Sequence, residues 1–200
     1  MDKTIQDFFD AVLPSHGLLC IIGLMHDKSG PAVVKYFDMG SEKAHDTIKE
    51  LEASGREVYF GCSSYVDSGK PKDVRNIHSI KSFFIDIDCG KDGGYKDKRE
   101  ALTALNEFCN ATALPLPTLI DSGFGVHGYW VLEHSIDYNT WKPVANALKK
   151  RAGEKQLKID PVVSGDGARM LRVPNTFNKK RADNHKKVKL EGIEIGRAHV

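Results

Sequence analysis

Cysteine is sparse and unclustered: Cys20, Cys62, Cys89 and Cys109 stand far apart, with no Cys-x-x-Cys pair and no histidine-rich tract beside them. A closed zinc site needs clustered thiolates and imidazoles, so this spacing argues against one, and dispersed reduced thiols fit a cytoplasmic setting. Long apolar runs are missing too; none approaches the roughly 20 residues a membrane span requires. The opening MDKTIQDFFDAVLP is amphipathic and acidic, where a secretory leader is basic and then apolar, so no leader is expected. Repeats and low-complexity linkers are absent, which argues against a solenoid or a string of modules.

What remains is the composition of an ordinary globular domain. Hydrophobic residues make up 40% and charged residues 28% of 200 positions, with a formal net charge of +2. That is enough for one core, in a chain too short for two generous ones. Residues 1–193 therefore read as one domain, while the final EIGRAHV at 194–200 looks like a translated sequencing adapter and is expected to be a non-native tail. Basic residues gather toward the C-terminal third, at Lys149, Lys150, Arg151, Lys155 and Lys158 and again at Arg169, Arg172, Lys179, Lys180 and Arg181. Such a bias is compatible with a polyanionic partner and equally with solvated faces.

Ile5, Phe8, Phe9 and Val12 share one helical face over 4–13, and Pro14 stops that helix. Strand-like runs at 18–24 and 32–39, joined by the turn-rich HDKSGP, predict a hairpin. Ser41 is a candidate N-cap for a helix reaching about Ala53, which Gly55 ends, and EVYFGCS supplies the next strand. A polar loop over 66–79 leads to a strand at roughly Lys81–Asp88. The spacing of Leu102, Leu105 and Phe108 predicts a helix with those three inward. PLPTLIDS and GVHGYWVLEHS predict two strands, and YNTWKPVANALKKR a helix with Pro143 in its first turn. Strands and helices mix without strict alternation, which favours an α+β arrangement over a doubly wound parallel sheet.

Two carboxylates close the apolar run FFIDIDCG at 83–90. Alternation along an extended strand turns Phe84, Asp86 and Asp88 to one side and Phe83, Ile85 and Ile87 to the other. Adjacent carboxylates repel, a repulsion that a cation between them relieves, and hard oxygen ligands suit Mg2+ or Mn2+. The same pair also serves as a simple turn cap. In DSGFGVHGYW, at 121–130, two glycines let the backbone bend before a strand that turns His127 and Tyr129 to one face. An imidazole there either donates to a phosphate oxygen or satisfies a core carbonyl. Further on, Asp160 follows apolar Ile159 as a third carboxylate, and Arg169 and Arg172 offer planar forks suited to phosphate. Co-occurrence carries more weight than any one member: acidic pair, glycine-flanked histidine, third aspartate and arginine pair, in that order, in one small domain.

That ordered set resembles the archaeo-eukaryotic primase superfamily, and within it the primase-polymerase domains of phage and plasmid replication proteins. The family's signature is an apolar strand ending in an acidic pair, a glycine-rich segment ending in histidine on a strand, and an apolar residue followed by aspartate. Here these are FFIDIDCG, DSGFGVHGYW and Ile159-Asp160, and ARMLRVPNTFNKK is similar to the arginine-containing stretch that follows in the phage and plasmid branch. The resemblance covers roughly residues 57–180. It implies a catalytic core built on an antiparallel sheet like that of an RNA-recognition motif, with a packed N-terminal α/β unit, helices on one side of the sheet and the cleft on the other.

The resemblance also implies a nucleotidyltransferase that joins nucleotides on a DNA template by two-metal phosphoryl transfer, in phage or plasmid replication. Carried across residue by residue, Asp86, Asp88 and Asp160 would bind two divalent ions, Mg2+ or Mn2+. His127 would contact the triphosphate of the incoming nucleotide, and Arg172, with Arg169, would hold its phosphates. Many members have serine two residues before the histidine, where this chain has Gly125, which leaves Ser122 as the hydroxyl to take over that part of the nucleotide site. The implied partners are a single-stranded DNA template, deoxy- or ribonucleoside triphosphates and a helicase, fused or in trans, in the host cytoplasm and away from membranes. Template contacts would fall to Lys70, Lys72 and Arg75 before the acidic strand and to Lys179, Lys180 and Arg181 after the last motif.

Other classes account for less. A metal-dependent nuclease or nicking replication initiator also gathers carboxylates and histidine, but such initiators pair histidines on one strand, and no His-x-His occurs here. A non-catalytic origin-binding module would not need all three positions to stay acidic. A sugar-nucleotide transferase could use Asp86-x-Asp88 yet gives no reason for the arginine stretch after Asp160.

Overall fold

Helix α1 (Lys3–Val12) begins where the Asp2 carboxylate accepts from the N–H groups of Thr4 and Ile5, and it buries Ile5, Phe8, Phe9 and Val12 along one stripe. It opens a computed structural model that describes residues 2–27, 29–90, 93–181 and 184–193. The tail expected at 194–200 lies outside the described residues. After α1 come the hairpin strands β1 (Leu18–Leu24) and β2 (Val33–Asp38), then α2 (Glu42–Ala53), β3 (Glu57–Gly61), β4 (Ser64–Tyr65) and β5 (Ile77–Asp88). The second half holds α3 (Lys98–Thr112), β6 (Thr118–Asp121), β7 (Gly125–Ile136), α4 (Tyr138–Glu154), β8 (Met170–Arg172), β9 (Phe177–Asn178), β10 (Lys186–Lys187) and β11 (Lys189–Gly192).

Nine of the described strands form one sheet in the order β11-β6-β7-β5-β4-β1-β3-β8, with β2 attached to β1. The pairings between these strands are antiparallel. The expected α+β class and antiparallel sheet are therefore present, and the N-terminal unit joins the core as a continuation of the same sheet.

The helices do not lie on one side of it. Consecutive strand residues point to opposite faces, and on β7 the neighbours Tyr129 and Trp130 contact different helices. Phe8 of α1 packs edge-on to Tyr129 at 5.3 Å, while Phe108 of α3 meets Trp130 at 6.4 Å. Both faces of the β5–β7 pair are thus covered, which explains why β7 is buried continuously from Gly125 to Leu132. On β5, Phe83 and Phe84, directly opposite Trp130 and Tyr129, stack on Trp141 of α4, whose indole N–H donates to the Ser82 carbonyl at 3.0 Å.

Three local expectations need correction. Strand β5 begins at Ile77, inside the stretch expected to be loop, because Ser79 is buried and its hydroxyl meets that of Ser64 on β4 at 3.1 Å. Leu102 is 40% exposed; the inward stripe of α3 is Ala101, Leu105, Phe108 and Cys109. Pro143 lies inside α4, past its first turn, and so removes one intrahelical bond. Among the described residues, no helix is long and apolar enough to cross a membrane.

Candidate active site

Strand register brings the first two motifs together. Asp86 on β5 stands directly opposite His127 on β7, and Asp88 opposite Gly125. Directly opposed residues share a face, so Asp86, Asp88 and His127 lie on one side of the sheet, as alternation predicts. His127 Nε2 is 3.7 Å from Asp86 Oδ1, beyond hydrogen-bond reach. The imidazole is only 1% exposed and its Nδ1 has no hydrogen-bond partner among the described residues. Burial, with the Arg172 charge adding to it, drives the His127 pKa down to about 3. The ring is therefore neutral near pH 7.

The third carboxylate arrives from the far side of α4. The Asp160 N–H donates to the Asp86 carbonyl at 2.8 Å, which docks the segment after α4 against the acidic strand. Asp160 Oδ1 accepts from the N–H groups of Val162 at 2.8 Å and Val163 at 3.3 Å, holding the 3-10 turn Val163–Gly165 in place.

Two clefts divide these residues. Asp86, His127, Arg169 and Arg172 line one of ≈ 240 Å³, with Tyr59 in its wall. Asp88 and Asp160 line the other, of ≈ 260 Å³, beside Lys158. A larger cavity of ≈ 320 Å³ between α1 and α2, near Phe9, Leu13 and His45, gathers no comparable set of charged groups, so size is a poor guide here. In the first cleft Arg169 Nε and Arg172 Nε are buried without hydrogen-bond partners, as is His127 Nδ1. Two guanidinium side chains and an imidazole in the wall of one cleft suit an anion with several acceptor oxygens. Among the described residues, no three His, Cys, Asp or Glu side chains are gathered closely enough to enclose a metal ion by themselves.

Other expected residues have different surroundings. Ser122 is buried; its N–H donates to the Gly125 carbonyl at 3.0 Å, and its carbonyl accepts from Asn178 Nδ2 at 2.7 Å. Neither Ser122 nor Gly125 lines the cleft of His127. Gly125 is required by close approach: a Cβ there would sit 2.4 Å from the Ile87 carbonyl oxygen. Of the basic candidates, Lys72 donates to the Ala168 carbonyl, and Lys179 Nζ to the carbonyls of Glu52 and Arg56, which makes both structural. Lys70 pairs with Asp67 at 3.7 Å and Arg75 with Asp73 at 2.6 Å, exposed pairs of the kind a phosphate can displace. Arg181 lies over the Phe124 ring at 4.7 Å, and Lys180 bonds Asn178 through its backbone N–H. Tyr59 and Glu57, which hold Arg172, have no local sequence signal.

No family model matches the chain. A "Replication protein" of Clostridium perfringens is 30% identical over 141 residues, covering 66% of this chain and 32% of that protein, so the chain spans less than half of this relative. Among solved structures, the primase-polymerase domain of cyanophage S-2L superposes with a TM-score of 0.63 at 16% identity, over 90% of this chain and 85% of that one. The catalytic domain of primase RepB′ in complex with initiator DNA follows at 0.58 and 13%, over 90% and 79%. The polymerase domain of Mycobacterium tuberculosis ligase D, in complex with DNA, gives 0.51 and 12%, over 82% and 70%. At these identities the likeness is one of fold. The chain has the archaeo-eukaryotic primase fold, and the resemblance carried by its three motifs is borne out at that level.

Proposed function

We propose that the chain is the catalytic domain of a DNA primase-polymerase, a nucleotidyltransferase that joins nucleotides on a DNA template. The observation that carries this reading is the grouping of Asp86, His127, Arg169 and Arg172 around one cleft. The fold likeness and the replication-protein relative support it.

The donor set fits divalent ions of the Mg2+ type. Asp86, Asp88 and Asp160 are hard oxygen donors, and such ions are held by one or two carboxylates with substrate phosphates and water more often than by an all-protein cage. Bound there, the ions would supply charge neutralisation and a more acidic attacking hydroxyl. The chain's own residues account for the rest. Arg169 and Arg172 offer planar guanidinium forks that neutralise triphosphate oxygens. His127, neutral and rigidly buried, donates one ring N–H without adding charge. Catalysis is then chiefly positioning and electrostatics, as phosphoryl transfer requires.

The wider setting follows from the same reading. Residues 1–193 act as one catalytic unit of a longer phage or plasmid replication protein in the host cytoplasm, with 194–200 an adventitious tail and a helicase as fused or separate partner. Lys70, Arg75, Lys180 and Arg181 contact the template strand. The test is to incubate the purified chain with single-stranded DNA, Mg2+ or Mn2+ and labelled nucleotides, with and without a primer. Template-dependent products are expected, and products formed without primer establish priming. No incorporation with either ion would overturn the proposal.

A further inference from the structure

Glu57, at the start of β3, is a carboxylate only 4% exposed. Such a charge is costly to bury unless partners satisfy it. Its Oε1 accepts from Arg172 Nη2 at 2.8 Å and from the Lys179 backbone N–H at 3.1 Å; its Oε2 accepts from the Tyr59 hydroxyl at 3.2 Å and lies 3.8 Å from His26 Nδ1. Tyr59 stands directly opposite Arg172 in the β3–β8 register, and the Arg172 guanidinium lies over its ring at 5.0 Å. One edge of the guanidinium is thus pinned by a carboxylate and one face by an aromatic ring. Its Nε stays buried without a partner, in the wall of the cleft shared with Asp86 and His127.

Simple electrostatics makes this arrangement puzzling, because a carboxylate close to a phosphate site repels the ligand. It makes sense if the gain from orientation is larger. A free arginine must be ordered at each binding event, and a preorganised one avoids that entropy loss. We propose that Glu57 and Tyr59 are positioning residues that hold Arg172 aimed at the phosphates of the incoming nucleoside triphosphate. The proposal rests on the triphosphate-site reading above.

The sign of one substitution decides the matter. Glu57→Gln removes the negative charge while keeping size, so charge alone would tighten triphosphate binding; loss of positioning weakens it. Binding of magnesium-dATP and magnesium-ATP is measured by calorimetric titration on the 200-residue chain, for the unaltered protein, Glu57→Gln, Arg172→Lys and the double variant. Glu57→Gln is expected to weaken binding about tenfold, the scale of one hydrogen bond to a charged group, and to change it less than about twofold once Arg172 is lysine. Should Glu57→Gln not fold, as judged by thermal melting, Tyr59→Leu makes the same comparison through the ring. Equal or tighter binding by the variant, or the same loss in both backgrounds, overturns the proposal. Absence of triphosphate binding by the unaltered chain overturns the site reading beneath it, a separate and distinguishable result.

Discussion

The main-chain N–H of Asp160 donates to the Asp86 carbonyl across 2.8 Å, so the third carboxylate is docked on the strand of the first two by an atom that side-chain substitution leaves in place. Variants here therefore separate chemistry from folding. Asp86→Ala, Asp88→Ala and Asp160→Ala are each expected to abolish nucleotide incorporation. Asp160→Ala also loses the contacts of Oδ1 with Val162 and Val163, a capping-type loss of about 1 kcal/mol. Primer extension and thermal melting run side by side check this; a variant that extends a primer at the unaltered rate refutes the assignment.

His127 makes stability depend on acid. Its folded-state pKa, lowered by burial and by Arg172 to about 3, lies below the ordinary value of 6.5. Between those values the unfolded chain binds the extra proton, so stability rises with pH through that window and is lost as pH falls, by about 1.4 kcal/mol per unit from this group. Above the window the group contributes no slope. Urea unfolding across the window, with His127→Gln alongside, should show the slope shrinking in the variant; an unchanged slope would mean the imidazole is not buried neutral.

Gly125→Ser would place the hydroxyl found in many primase-polymerases at its usual position, and here it should do harm. The added Cβ would lie 2.4 Å from the Ile87 carbonyl oxygen, an atom of paired backbone that cannot swing aside. A loss of about 1–3 kcal/mol is expected, which for a chain of this size lowers Tm by about 2–4 °C per kcal/mol. Differential scanning calorimetry gives the answer, and a Tm equal to that of the unaltered chain would show that the two strands can separate at this point.

Leu105 and Leu102 offer a matched pair on α3. Leu105 is buried in the main core and Leu102 is not. Leu105→Ala should cost about 2–5 kcal/mol and Leu102→Ala less than about 0.5 kcal/mol, as read by urea unfolding. Equal costs would mean that the helix packs in the rotated phase.

That pair also shows what sequence can and cannot reveal. Residues 102, 105 and 108 fit a helical stripe almost as well as 101, 105, 108 and 109, and only tertiary packing, which buries Ala101 and Cys109 and leaves Leu102 exposed, selects the phase. The hairpin and the four helices were legible because their periodicities are strong, and Asp86, Asp88 and His127 because strand alternation fixes their side. The start of β5 was hidden because His78 and Ser79 look like loop residues until Ser64 is placed beside them. Glu57 was invisible for a plainer reason: its partner Arg172 is 115 positions away, and nothing within EVYFGCS singles out a buried carboxylate. Helices on both faces of the sheet likewise follow from long-range connections.

Strand β5 pairs with β7 without interruption from Ser82 to Asp88, whereas Asp160 is fastened to it through a main-chain bond and a short turn whose Val163 and Ser164 are buried. Two of the acidic groups are thus fixed by a continuous ladder and the third by a turn seated in the core, so the placement of all three is set by the folded chain before any ligand arrives.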